Sequence, residues 1–338
     1  MVSNYGMCHL SASRHIAGSR GSNPLAGAIF LFMKYGINYQ GSKNRIVRDM
    51  CALFPKRENF YDLFAGGCAV THRMLELGHF GHYYFSDINP MPVNLFYDCI
   101  SGHKPEPRWV SHEEFSRVKY TDAYAACCFS FGGDWNTYAY SKEVEPIKEA
   151  LHYAVVYRDF DRSDRLGIDL HLLEDYETYM ERYRALKKAL NMNRTEECSN
   201  IERLSNLERL TNLCGVESLT RNNALERLTN LCGVESRSVS YDQVEIKPNS
   251  VVYCDIPYKS TSRYVSGRFD YDKFYDWCRH QTELTFISEY GMPDDFICIH
   301  EFTRSDSKAA KCTKKVIERL FVPKHQIGIY NESKTTLF

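Results

Sequence analysis

The sequence has no Cys-x-x-Cys pair; among its 13 cysteines the only close ones are the adjacent Cys127 and Cys128. A zinc site and a disulfide frame are thereby excluded, and the thiols read as reduced, in a cytoplasmic protein. No apolar stretch approaches the length of a membrane span. No charged region precedes a sustained apolar core, so no cleavable signal is expected. The formal net charge of -1 removes any global pull toward polyanions, and nucleic-acid binding has to come from local patches. Residues 1–32 contain no acid, only Arg14 and Arg20 among many Ser and Gly. They are expected to be disordered, or to lie upstream of the true start codon. What remains is an ordinary globular composition, 43% hydrophobic and 25% charged over 338 residues. That length suits one large domain with an insertion, or two modest domains.

The chain is organised around Val251-Val252-Tyr253-Cys254-Asp255-Ile256-Pro257-Tyr258. Its unbroken apolar first half predicts a central parallel strand buried on both faces. A carboxylate, a residue held extended by the following proline, the proline and an exposed-side aromatic then stop it abruptly. Open α/β sheets place their chemistry at such carboxyl ends, although an ordinary strand end with a turn reads the same four residues more simply.

Three earlier stretches join it. Tyr39-Gln40-Gly41-Ser42-Lys43 precedes a helical pattern over 45–54. It offers backbone N–H groups and a cation to an anion, while a capped helix with a solvated lysine is the plainer reading. Residues 59–67 read as a strand ending in Gly66 and Gly67, followed by a helix over 69–77. Glycine there allows close approach of a ligand, but the dinucleotide spacing Gly-x-Gly-x-x-Gly does not follow. A second strand over 82–85 ends in Ser86-Asp87-Ile88-Asn89. Asp87 is positioned for ribose hydroxyls, or for the N-cap of a helix begun by Asn89-Pro90, or both.

From about 103 to 200 the pattern is mostly helical, with helices expected over 109–120, 143–156 and 176–190. Between the first two lies an aromatic, glycine-rich loop from Cys128 to Tyr138 that suits base stacking or plain surface packing equally. Leu207–Ser218 recurs unchanged at Leu225–Ser236, with leucines every third residue from Leu204 to Leu213. That spacing drifts around a helix, and so few units make no self-standing solenoid. A duplication tolerated in a surface insertion is the expectation. Sheet-and-helix alternation then returns: Ser240–Val244 leads into the central strand, a polar stretch over 259–268 follows it, a helix is expected over 271–279, and strands over 284–288 and 296–301. Between Thr303 and His325 seven basic residues face two acids, a plausible phosphate-facing edge.

Tyr39–Lys43, Asp62-Leu63-Phe64-Ala65-Gly66-Gly67, Ser86–Asn89 and Asp255–Tyr258, taken in that order, resemble the Dam-like (D12 class) DNA adenine N6-methyltransferases in the α arrangement. The likeness is close over 34–110 and 238–325 and looser over 111–200. Phe286–Tyr290 and Glu318–Phe321 look like the family's closing strands. The resemblance implies a Rossmann-like α/β methyltransferase domain with a mixed sheet, built from 33–110 and 237–338. A mostly helical target-recognition insertion over 111–200 and the repeat insertion over 201–236 interrupt it. It implies S-adenosyl-L-methionine as cofactor, held by Tyr39, Lys43, Asp62, Phe64, Gly66, Gly67, Asp87, Tyr241 and Asp255. Tyr39 and Lys43 would take the methionine end, Asp87 the ribose, and Tyr241 the adenine. It implies double-stranded DNA as partner, with Trp135, Asn136, Arg263, Lys311, Lys314 and Lys315 toward the DNA, no metal, and a bacterial or phage-infected host in which a cognate restriction endonuclease is a possible companion. The family's usual tetrapeptide is Asp-Pro-Pro-Tyr, and Ile256 departs from it. The backbone carbonyl survives, and Pro257 still holds residue 256 extended.

The chemistry asks for these residue types. An adenine amine is a poor nucleophile because its lone pair is delocalised into the ring. If Asp255 and the Ile256 carbonyl each accept one N6 hydrogen bond, the lone pair turns toward an incoming methyl. The base has to leave the duplex, and Tyr258 is the candidate aromatic face for it. Two other readings stay open: RNA adenine or cytosine N4 as target, and a degenerate fold that only binds DNA.

Overall fold

The structure, a computed structural model, describes residues 35–196, 233–259, 269–305 and 315–335. Its helices and strands follow in chain order as α1 (Val47–Cys51), β1 (Asn59–Asp62), α2 (Ala69–Leu77), β2 (His82–Ser86), α3 (Pro90–Ile100), α4 (His112–Val118), α5 (Ala123–Phe129), α6 (Glu145–Tyr157), α7 (Asp161–Arg165), α8 (Tyr179–Glu196), β3 (Val234–Arg237), β4 (Ser250–Cys254), α9 (Tyr271–Arg279), β5 (Leu284–Glu289), β6 (Phe296–Ser305), β7 (Lys315–Pro323) and α10 (Ile327–Thr335). The strands form one mixed sheet in the order β3-β2-β1-β4-β5-β7-β6. The first five run parallel, and β7 enters antiparallel between β5 and β6. This is the α/β, Rossmann-like architecture with a mixed sheet.

Strand β4 is central and every residue of it is buried. Val251 and Tyr253 enter one core cluster with Phe60, Phe85 and Phe286. Val252 and Cys254 enter another with Tyr61, Leu63, Phe274 and Ile287. Two clusters on opposite faces explain the unbroken apolar run, because a strand covered on both sides has no solvent face to mark with polar residues. The successive strands β1, β2 and β3 progress to one side, and β4 then pairs on the other side of β1. The gap above β1 and β4 is therefore the switch point, where the connections leave in opposite directions and open a crevice at the strands' carboxyl ends.

Several local expectations are corrected. The helix expected over 109–120 begins only at His112, because the Ser111 hydroxyl accepts from Glu114 N and fixes the start. Trp109 instead stacks on Tyr140. The N-cap of α3 is Asn89 and not Asp87: its side chain accepts from Met91 N. Residues 197–232, most of the repeat, lie outside the described residues. The last three residues of its second copy, Val234 to Ser236, belong to β3 at the sheet's edge, so the 236/237 boundary falls inside a strand. Within the helical segment, Leu151, Val155, Phe160, Leu173 and Leu186 form a cluster of their own. Arg182 ties it together by donating to the carbonyls of Val155, Val156, Tyr176 and Glu177.

Candidate active site

The loop after β1 is shaped by two glycines that tolerate no side chain. A Cβ on Gly67 would lie 2.5 Å from the Tyr39 Cβ and 3.0 Å from the Ile37 carbonyl; Gly66, at φ +46°, lies under the Tyr39 ring. The next residue, Cys68, also takes the left-handed region, at φ +57°, before α2 starts. Strain of this kind persists only where the surroundings enforce it. The loop is tied to the end of β2 by Ala65 N donating to the Ser86 carbonyl, and by Gly66 N donating to Asp87 Oδ2, 2.9 Å each. Asp87 Oδ1 accepts from Asn89 N. Burial pushes the Asp87 carboxyl up, and these N–H donors oppose the shift.

Asp62, the last residue of β1, is fully buried. Its Oδ2 accepts from Thr71 at 2.7 Å, while Oδ1 has no hydrogen-bond partner among the described residues. Burial pushes its carboxyl up to about 7, helped by the charges of Asp255 and Asp87 against the Thr71 hydrogen bond.

Asp255 follows β4 directly, and its Oδ1 lies 2.5 Å from Lys43 Nζ. Lys43 is buried, which sets aside the plainer reading of that stretch as a capped helix with a solvated lysine. Burial alone would lower its pKa, but Asp255 and Glu318 more than reverse that and hold it cationic. Lys43 Nζ also donates to the Tyr258 hydroxyl at 2.7 Å and lies 3.0 Å from Glu318 Oε1. Tyr258 is only 9% exposed, against the outward placement expected for it; its hydroxyl donates to Glu318 Oε1 at 2.5 Å. Pro257 is held through its carbonyl, which accepts from the Tyr271 hydroxyl. Ile256 buries its side chain with Leu63, Cys254 and Phe274, so the residue that departs from the family tetrapeptide is absorbed by the core.

Asp62, Gly66, Asp87 and Asp255 thus share the carboxyl ends of β1, β2 and β4, with Lys43 reaching in from the preceding turn. Phe64 and Tyr241 stack on each other, ring centroids 5.4 Å apart, and Tyr241 is buried among Phe269, Phe274 and Trp277. Ile88, beside Asp87, is 62% exposed, an apolar surface at the crevice that the sequence reading passed over.

The aromatic loop is arranged differently from expectation. Trp135 is 8% exposed, and its indole N–H donates to the Asn38 carbonyl while its ring meets the edge of Tyr39. It supports the turn at Asn38 and Tyr39 rather than presenting a face to solvent. Asn136 is exposed and accepts from Lys119 Nζ and the Tyr120 hydroxyl. The outward aromatics are Phe131 and Tyr120, each 67% exposed. Arg263, Lys311 and Lys314 lie outside the described residues, and Lys315 opens β7. Arg319, counted toward the basic edge, pairs with Glu301.

A family model described as D12 class N6 adenine-specific DNA methyltransferase matches residues 39–215, more than half of the chain. The chain belongs to this family. It is a methyltransferase acting on adenine N6 in DNA. The match takes in the Tyr39–Lys43 turn, the glycine loop, Asp87 and the helical segment; the Asp255 tetrapeptide lies beyond it. No curated protein matches the chain. Among the described residues of the methyltransferase, no helix is long and apolar enough to cross a membrane.

Sequence reading missed Glu318 as a site residue, though a signal was there. Glu318, Leu320 and Val322 share one phase of β7, all buried. An acid on the inward phase of a strand has to be paired or functional. Glu289, at the end of β5, is a second such acid: it is buried, its Oε2 has no hydrogen-bond partner among the described residues, and burial pushes its pKa up.

Proposed function

We propose that this chain is a site-specific DNA adenine N6-methyltransferase that uses S-adenosyl-L-methionine and holds a flipped adenine between Asp255, the Ile256 carbonyl and Tyr258. The observation that carries the reading is the buried contact of Lys43 with both Asp255 and Tyr258 at the sheet's switch point. The crevice also fits the donor. Among the described residues its lining is acidic, with Asp62, Asp87 and Asp255 beside Lys43, and Asp62 Oδ1 is a buried acceptor without a hydrogen-bond partner there. Bare backbone at Gly66 and Gly67 permits close approach. Tyr39, Lys43, Asp62, Gly66, Gly67 and Asp87 would hold the donor. Exposed Ile88 is better placed than buried Tyr241 and half-buried Phe64 to cover its adenine.

Bound there, S-adenosyl-L-methionine supplies an electrophilic methyl carried on a sulfonium. Lys43 against Oδ1 orients the Asp255 carboxylate. Asp255 and the Ile256 carbonyl accept the two N6–H bonds, which turns the N6 lone pair toward the methyl. With the donor held by these residues, that pair would take the methyl as the sulfonium leaves as a neutral thioether, and N6 would give up one proton to Asp255 or to water. The acids stabilise the positive charge that develops on the amine.

The test is transfer of labelled methyl to double-stranded DNA followed by nucleoside analysis. N6-methyldeoxyadenosine from the wild type and none from Asp255→Ala is the expected result. Identical behaviour of the two, or methylation of cytosine N4 or RNA alone, overturns it.

A further inference from the structure

We infer that Glu318, on the antiparallel strand β7, is a positioning residue for methyl transfer that locks Tyr258 over the extruded base. The inference rests on the reading of Asp255–Tyr258 as the reacting tetrapeptide. The Tyr258 hydroxyl has both capacities engaged: its oxygen accepts from Lys43 Nζ at 2.7 Å, and its proton goes to Glu318 Oε1 at 2.5 Å. A phenol so held has one ring orientation. The Tyr290 ring, 4.5 Å from it and tilted by 45°, closes one side.

Charge neutralisation alone does not explain Glu318. Asp255 already supplies Lys43 with a carboxylate at 2.5 Å, closer than the 3.0 Å to Glu318. A second acid on the same lysine, 2% exposed, is costly to bury unless it is paired and used. Glu318 Oε1 lies closer to the Tyr258 hydroxyl, at 2.5 Å, than to Lys43 Nζ, at 3.0 Å. A buried carboxylate beside an amine that becomes cationic as it is methylated also favours the transition state over the ground state. Glu318 arrives from outside the parallel core of the sheet, facing Phe302 across the β6–β7 ladder, so the closing hairpin becomes part of the active site.

The experiment is single-turnover methyl transfer to DNA by full-length wild type, Glu318→Gln, Glu318→Asp, Tyr258→Phe and the double variant Tyr258→Phe/Glu318→Gln. Donor affinity is measured by calorimetry and folding by melting temperature. Glu318→Gln keeps shape and loses charge; Glu318→Asp keeps charge and withdraws it by one methylene. Each is expected to slow transfer about tenfold or more, inside the roughly hundredfold that a misplacement of about 1 Å can cost. Donor affinity is expected to hold, because Lys43 keeps Asp255. The double variant is expected to be no slower than the slower single one, since both changes release the same ring. A wild-type rate in either folded Glu318 variant overturns the inference, as does strict additivity of the two losses or a rate that falls only in step with melting temperature. If the wild type itself transfers no methyl, the proposed function fails and not this refinement of it.

Discussion

Asp62 gives the sharpest test of the donor site. In the free protein burial raises its carboxyl from 3.8 to about 7, with Asp255 and Asp87 adding to the shift and Thr71 opposing it. A cationic donor pairs with the carboxylate, so below pH 7 binding has to displace a proton. Donor affinity should therefore fall by up to tenfold, about 1.4 kcal/mol, for each pH unit below 7, and level off above about 8. Calorimetry of S-adenosyl-L-methionine at pH 6, 7 and 8, in buffers of different ionisation enthalpy, reads both quantities. Close to one proton should be released per donor at the acid end and almost none at the alkaline end. Asp87 is raised as well, so Asp62→Asn separates the two: it should bind more weakly, with a flatter profile. Thr71→Val removes the hydrogen bond that favours ionised Asp62 and should move the midpoint to higher pH. The sign for stability is the reverse of that for binding. A carboxyl whose folded pKa is raised contributes fully below its unfolded value of 3.8 and loses that contribution as the pH rises through about 7. An affinity independent of pH, with no proton release, or a wild-type curve from Asp62→Asn, would refute the placement of Asp62 in the donor site.

Three further outcomes are expected. Gly67→Ala would push a methyl to 2.5 Å from the Tyr39 Cβ, so it should cost about 1–3 kcal/mol of stability and weaken donor binding; unchanged calorimetry and melting would contradict the close fit. Arg182→Ala strips four carbonyls of their donor and should destabilise by about 3 kcal/mol in denaturant titration. Arg182→Lys should recover little, since one ammonium does not reproduce the guanidinium fork. Phe131→Ala and Trp135→Ala should diverge. The exposed Phe131 should raise the KM for DNA by the equivalent of about 1–3 kcal/mol without altering melting. The inward Trp135 should lower melting and donor affinity, and matching effects from the two would undo the distinction.

Much of the catalytic sheet was legible in the residues. The doubly buried β4, the helix bounds at Ala69–Leu77 and Tyr271–Arg279, and the acids at the strand ends were all expected from local pattern. Short-range rules suffice there, because a strand covered on both faces and a helix with one apolar stripe write themselves into consecutive residues. The same rules failed at Trp135 and Phe131. The Cys128–Tyr138 segment contains four aromatic residues with no period, and the inward turn of Trp135 depends on the distant Asn38 carbonyl.

The order of motifs by itself determined the class of enzyme, the parallel core and the candidate carboxylate, since each depends on residues adjacent along the chain. Tertiary structure alone decided that Lys43 and Tyr258, 215 positions apart, meet in one buried contact, and that Glu318 on the last strand joins them. The reason is physical. The pairing of a buried charge is set by what the fold brings within about 3 Å, and strand order in a sheet is a choice among long-range crossovers that no local pattern records.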